Sequence, residues 1–208
     1  MMARDERTRI AVETLAHYDR HAQAFWEGTR DHDVRQNLDA LLARIDAHPP
    51  FTILDLGCGP GRDLRTLAEL GHAAIGLEGA PRFVAMARQY SGCDVWQQDF
   101  LELDLPPERF DGIFANASLF HVPSAELPRV LGELRNALKA GGVLFASNPH
   151  GHNEEGWNRG RFGAYHDLAA WSRHLSEAGF ALIDAYYRPA GLPRDQQPWL
   201  ATVSRKTG

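Results

Sequence analysis

An α/β fold built on a largely parallel sheet is the class this sequence predicts, and three observations predict it. The apolar run Ile53-Leu54-Asp55-Leu56 breaks straight into the glycine-dense turn Gly57-Cys58-Gly59-Pro60-Gly61, and a segment with apolar residues at helical intervals follows. From residue 51 to residue 147 short apolar runs alternate with helical periods, the pattern that parallel strands need for their crossovers. Near the end, Phe180–Tyr187 and Trp199–Val203 are two apolar or aromatic runs joined only by the Pro/Gly-rich stretch 189–198, as an antiparallel pair requires.

Taken in order, residues 8–47 are charged and carry Ile10, Val12, Leu15, Val34, Leu38, Leu41, Leu42 and Ile45 at spacings that suggest two helices. The stretch Tyr18–Gly28 between them mixes aromatic and ionisable groups, which fits either a lid or an amphipathic helix covering the sheet. Residues 1–48 are therefore read as a helical cap or lid on a single domain spanning 1–208. Strands are expected near 51–55, 73–78, 94–97, 110–116 and 143–147. Helices are expected near 62–70, 81–90, 125–139 and 167–178, the third marked by Leu127, Val130, Leu131, Leu134 and Leu138 before Gly141-Gly142.

The 208 residues, 44% of them hydrophobic, suffice for one substantial core. A formal net charge of -5 offers no general attraction to nucleic acid. Cys58 and Cys93 are too few for a disulfide framework, no uninterrupted apolar segment is long enough to span a bilayer, and residues 1–7 lack the apolar core of a secretory signal. A reduced cytoplasmic setting is expected, with neither nucleic acid nor membrane as partner; oligomeric state is left open.

The chemistry concentrates where the first strand ends. Glycines bare the backbone to a ligand, the helix beginning near Arg62 points its free amides at the same space, and Asp55 stands ready to accept hydrogen bonds. The lysine of a phosphate-cradling loop is missing, which disfavours kinase or ATPase chemistry. Ala73–Glu78 reads as a second strand ending in a carboxylate suited to two ribose hydroxyls, and Asp99, just beyond a third strand with Phe100 beside it, suits an adenine amino group or an ordinary Asx turn.

With these features the sequence resembles the class I S-adenosylmethionine-dependent methyltransferases. The resemblance rests on Asp55–Gly61, Glu78, Gln98-Asp99, Phe110–Asn116 and Leu138–Phe145. It implies a Rossmann-like, seven-stranded, mostly parallel sheet with an antiparallel last strand in a three-layer α/β/α sandwich. It also implies S-adenosylmethionine as donor and S-adenosylhomocysteine as product. The donor contacts it implies are Asp55, Gly57, Cys58, Gly59, Gly61, Glu78, Gly79, Asp99, Phe100 and Asn116. A nicotinamide-dependent oxidoreductase and a noncatalytic donor-binding or regulatory module are the competing readings.

On the acceptor side, Asn116 opens Ala117–Pro123, which places His121 as a general base or an orienting group. The polar connection 147–166 is expected to cover the acceptor, with Glu154, Trp157, Arg161 and Tyr165 as wall residues, Tyr165 also as an orienting or deprotonating group, and Tyr18 and Trp26 contributed by the cap. Its mixed charges, with Glu154 and Glu155 against Arg159 and Arg161, suit a zwitterionic small molecule methylated on N, O or S. His150 and His152 match no strong ligand spacing, so no metal is expected.

Overall fold

A computed structural model describes residues 4–208. Its elements run α1 (Arg4–Arg20), α2 (Ala22–Thr29), α3 (Arg35–Leu42), β1 (Thr52–Leu56), α4 (Arg62–Glu69), β2 (Ala73–Glu78), α5 (Pro81–Ser91), β3 (Val95–Gln97), β4 (Phe110–Asn116), α6 (Leu127–Ala137), β5 (Leu138–Pro149), β6 (Glu154–Asn158), β7 (Arg161–Tyr165), α7 (Leu168–Glu177), β8 (Phe180–Arg188) and β9 (Trp199–Lys206).

Seven strands form one sheet in the order β3-β2-β1-β4-β5-β9-β8. β1 lies parallel to both β2 and β4, with Leu54 opposite Ile75 on one side and Ile113 on the other. β9 is antiparallel to β5 and to β8, so the expected antiparallel partners do pair, but β9 lies inside the sheet and β8 alone of the two is an edge strand, opposite β3 at the other edge. A short link between β8 and β9 permits this reversal, whereas the parallel neighbours all need helical crossovers. The strand order turns back between β1 and β4, which opens a crevice at their carboxyl ends.

Alternation along the strands feeds two apolar faces. Leu54, Leu56, Ile113, Leu144 and Ala146 meet α6 and α7 through Leu131, Leu134, Trp171 and Leu175. Ile53, Phe114, Phe145 and Val203 meet Leu38 and Leu41 of α3 and Leu67 of α4, while Leu64, Val84 and Ala87 join α4 to α5 on the same side. The result is three layers, α/β/α.

Three expectations need adjustment. The N-terminal segment holds three helices instead of two, and they divide by role: α3 belongs to a covering layer, with Leu41 fully buried, whereas α1 and α2 reach over the crevice. The helix expected to run to residue 139 ends at Ala137, because Leu138 already pairs with Phe110. Within 147–166, drawn from sequence as a polar connection, β6 and β7 form a separate antiparallel hairpin whose turn, Arg159-Gly160, has positive φ at both residues.

Gly61 ends the first loop at φ 93°, and a Cβ there would stand 2.8 Å from Ala87 Cα in α5. Glycine is thus required both by conformation and by how closely α4 and α5 approach. Gly71, at φ 86°, has open space around it. Gly61→Ala is expected to cost at least about 2 kcal/mol and Gly71→Ala about 1 kcal/mol, measured by chemical denaturation; equal effects would show that α5 yields without penalty.

Candidate active site

A cavity of about 850 Å³ opens at the carboxyl ends of β1, β2 and β4. Its floor begins at Gly57, where a Cβ would meet Ser118 Cβ at 2.5 Å; Gly59, by contrast, would direct one into open cavity, with Phe25 the nearest atom at 3.9 Å. The floor is therefore bare backbone between the loops that follow β1 and β4.

Glu78 organises this floor. Its Oε2 accepts from the Gly59 amide at 3.0 Å, and its Oε1 accepts from the amides of Gly79 at 2.8 Å and Ala80 at 2.9 Å. Burial pushes its carboxyl pKa up, and the three amides pull it back. A carboxylate has about four acceptor positions, so Oε2 keeps one for a ligand in the cavity that Glu78 lines. Asp99 accepts the Leu101 amide on Oδ1 at 2.9 Å, forming the turn anticipated as the ordinary alternative, and it also lines the cavity beside Phe100. Burial raises its pKa as well.

Of the donor contacts inferred from sequence, Gly57, Cys58, Gly59, Glu78, Gly79, Asp99, Phe100 and Asn116 line the cavity. Asp55 and Gly61 do not. Asp55 is 2% exposed beneath the loop, and its Oδ2 has no hydrogen-bond partner. Burial, reinforced by neighbouring Asp63, raises its pKa well above the usual range, with Arg62 opposing. Asp63, paired with Arg62, and Glu78 both line the cavity at this loop and set carboxyl groups beside the space a cationic ligand would take.

Sequence reasoning missed a polar chain across the site. The Tyr186 hydroxyl donates to Asn37 Oδ1 at 3.0 Å, Asn37 Nδ2 donates to Asn116 Oδ1 at 3.0 Å, and Asn116 Nδ2 donates to Asp63 Oδ2 at 3.1 Å. Arg62 grips Asp63 with two donors, at 2.7 and 2.9 Å, and gives a third to the carbonyl of Thr29 in α2. The only local signal was the Arg62-Asp63 pair in the first turn of α4; Asn37 and Tyr186 join from remote parts of the chain.

The acceptor-side residues separate. Tyr18, Trp26, His121 and Arg161 line the cavity. Glu154, Trp157 and Tyr165 lie outside it: Glu154 accepts the His152 amide, Trp157 is 40% exposed with Arg9 above its ring, and the Tyr165 hydroxyl takes a bond from Asn158. His121 is held at both nitrogens. Nδ1 is 2.6 Å from the Phe162 carbonyl and Nε2 is 2.7 Å from the Tyr18 hydroxyl. A carbonyl only accepts, so Nδ1 carries the proton and Nε2 accepts from Tyr18. Burial lowers the His121 pKa to about 4 and raises that of Tyr18 to about 12, which keeps both neutral through the physiological range.

Comparison with known proteins adds to this geometry. Residues 53–142 match a family model described as a methyltransferase domain. The trans-aconitate 2-methyltransferase of Rhodococcus jostii (strain RHA1) is 32% identical over 181 residues, covering 81% of this chain and 68% of that protein. The chain belongs to the class I S-adenosylmethionine-dependent methyltransferases. The trans-aconitate 2-methyltransferase of Azoarcus sp. (strain BH72) is 34% identical over 116 residues, and there the match spans 55% of this chain and slightly less than half, 45%, of the relative. Among solved structures, the 1,6-didemethyltoxoflavin-N1-methyltransferase of Burkholderia thailandensis, with bound 1,6-didemethyltoxoflavin and S-adenosylhomocysteine, shares the fold at a TM-score of 0.78 and 21% identity, covering 100% of this chain and 92% of that one.

The donor of this methyltransferase family member is S-adenosylmethionine, and the cavity fits it: the floor at Gly59 is open, Glu78 and Asp99 retain accepting capacity, and the carboxylates nearby complement a sulfonium.

Protonation of buried neutral His121 must oppose folding. Its pKa is lower in the folded chain than in the unfolded one, so the unfolded state binds more protons between pH 6.5 and 4 and stability falls as pH falls through that window, by at most about 3 kcal/mol. Denaturation at pH 7.5 and pH 4.5 is expected to show this loss in the wild type and a smaller one in His121→Asn; equal losses would mean that His121 charges freely in the fold.

Proposed function

We propose that the chain transfers the methyl group of S-adenosylmethionine to a small-molecule acceptor, acting as one domain with α1 and α2 as the roof of its site. The observation that carries this reading is that one cavity holds the glycine floor with Glu78 and Asp99 together with the Tyr18–His121 pair. Its walls come from helices and a hairpin that close over it, dimensions suited to a metabolite. Relatives named for trans-aconitate and for 1,6-didemethyltoxoflavin support a small acceptor. No helix is long and apolar enough to cross a membrane among the described residues. With two free cysteines and a net charge of -5, the reading places the protein in the reducing cytoplasm without a nucleic-acid partner.

The bound donor supplies a methyl group on a positively charged sulfur that leaves as a neutral thioether. The protein's own part is alignment and exclusion of water. Glu78 and Asp99 hold sugar and base from below, Phe25 and Phe83 close over them beside Tyr18, and His121 fixes the Tyr18 hydroxyl at the acceptor end. In this reading His121 is a positioning residue, since both ring nitrogens are already engaged.

Glu78→Gln replaces a charged acceptor of three amides by a neutral group and is expected to raise the dissociation constant for S-adenosylmethionine about 10- to 100-fold. Calorimetric titration, with circular dichroism to verify folding, checks it; unchanged affinity in a folded variant would remove Glu78 from the donor site. Incubation of a metabolite extract with methyl-labelled donor tests the noncatalytic alternative, since a binding module would leave all label on the donor.

A further inference from the structure

We infer that the methyl acceptor is a carboxylate of a small organic acid, held by Arg161 and Arg188 and methylated on oxygen to give a methyl ester. The inference rests on the transferase reading above and deepens it.

The mixed charges of the hairpin segment separate on folding, and the carboxyl groups that line the cavity, Asp31, Asp33, Asp63, Glu78 and Asp99, come from other elements. Glu154 and Glu155 are exposed and turned to the backbone amides of His152 and Ser124, while Arg161 enters the cavity from the start of β7 and Arg188 enters it from the end of β8. Arg161 lies with its guanidinium carbon 5.5 Å from the centre of the Tyr18 ring, and among the described residues it has neither a salt bridge nor a side-chain hydrogen bond. Arg188 donates through Nη2 to the Asp33 carbonyl at 3.1 Å, yet its Nε is buried without a partner. Both guanidinium groups line the cavity with donors beyond those the chain engages, and a carboxylate on a ligand is the complementary group.

The chemistry of the walls agrees. A hydroxyl acceptor has to shed a proton, but His121 spends Nε2 on Tyr18 and Nδ1 on Phe162, and burial holds its pKa at about 4. Tyr18, at about 12, is a donor at neutral pH. The cavity's remaining histidine, His32, sits exposed on the link between α2 and α3. A carboxylate needs no base because it is already ionised. One of its oxygen lone pairs forms the new O–CH3 bond as the methyl–sulfur bond breaks; sulfur keeps that electron pair. Sulfonium and carboxylate become neutral thioether and neutral ester, and no proton is released.

The test titrates trans-aconitate, fumarate and succinate, with fumaramide as the uncharged control, into the chain saturated with S-adenosylhomocysteine. At least one acid is expected to bind where the amide does not, and Arg161→Gln and Arg188→Gln are each expected to weaken it about tenfold or more while S-adenosylhomocysteine affinity stays within about threefold. With labelled donor, the product is expected to release its label as methanol in alkali, as an ester does. Binding of none of the acids, or alkali-stable transfer to an amine or phenol, overturns the carboxylate assignment and leaves the transferase reading standing. Lost S-adenosylhomocysteine affinity in the arginine variants with acid binding intact also overturns it, by assigning the guanidinium to the donor. Failure of the wild type to bind S-adenosylhomocysteine overturns both readings.

Discussion

The floor of the site depends on one buried carboxylate. Glu78 is placed at the end of β2 by strand pairing with β1 and β3, and from there it collects the amides of Gly59, Gly79 and Ala80. Two loops that are separate in sequence thereby acquire one geometry. Burying an ionised group is expensive without such partners, and charge-assisted bonds from backbone amides are among the stronger compensations available. The glycines matter for the same reason: Gly59 leaves its amide within reach of Glu78 without adding a side chain to the cavity, and Gly57 lets the first loop touch Ser118. Ligand binding and loop architecture therefore share a single anchor.

A second constraint runs crosswise. The chain from Tyr186 through Asn37, Asn116, Asp63 and Arg62 to the Thr29 carbonyl connects the sheet's β8 edge to the roof helix α2. Each amide in it has a fixed sense, because Asn37 accepts from a hydroxyl and donates to Asn116, which in turn donates to a carboxylate. Asn116 is thus positioned from both sides at the end of β4, where it lines the cavity. Arg188 holds the Asp33 carbonyl on the far side of the same link, so the α2–α3 connection is fastened at both ends by arginines from different layers.

The sheet was legible because its signals are local. Each parallel strand is a short apolar run bounded by turn residues, and each crossover shows a helical period, so Ile53–Leu56 and Leu127–Leu134 could be placed without tertiary knowledge. Glu78 and Asp99 were legible because the strand ends locate them. The opposite wall of the cavity was not, since it is built from pairs such as Tyr18 with His121, 103 residues apart, and from Arg188, whose approach to the cavity depends on the reversed β8–β9 pairing. Glu154 and Arg161 looked equivalent in sequence, yet the hairpin sends one outward and one inward. That hairpin had its own signal, the two-residue turn Arg159-Gly160 between Trp157 and Phe162, which the surrounding polarity obscured.

The hairpin also fixes where a long, flexible arginine meets the cavity. Phe162, the residue after Arg161, has both backbone groups committed: its amide donates to Thr14 Oγ1 of α1 at 3.1 Å, and its carbonyl accepts from His121 Nδ1. Thr14 is 6% exposed and Phe162 is equally buried, so these bonds form away from competing water and each would be costly to leave unmade. Arg161 therefore leaves a backbone pinned on two sides, and the Tyr18 ring beneath its guanidinium is itself held by His121. Tyr18, His121, Phe162 and Thr14 form a closed circuit through roof, acceptor loop and hairpin, in which no member can shift without unmaking a bond elsewhere. The tautomer of His121 is what closes it: were Nδ1 unprotonated, it would face the Phe162 carbonyl lone pair to lone pair, the hairpin would lose its tie, and the cation would lose its place over the cavity.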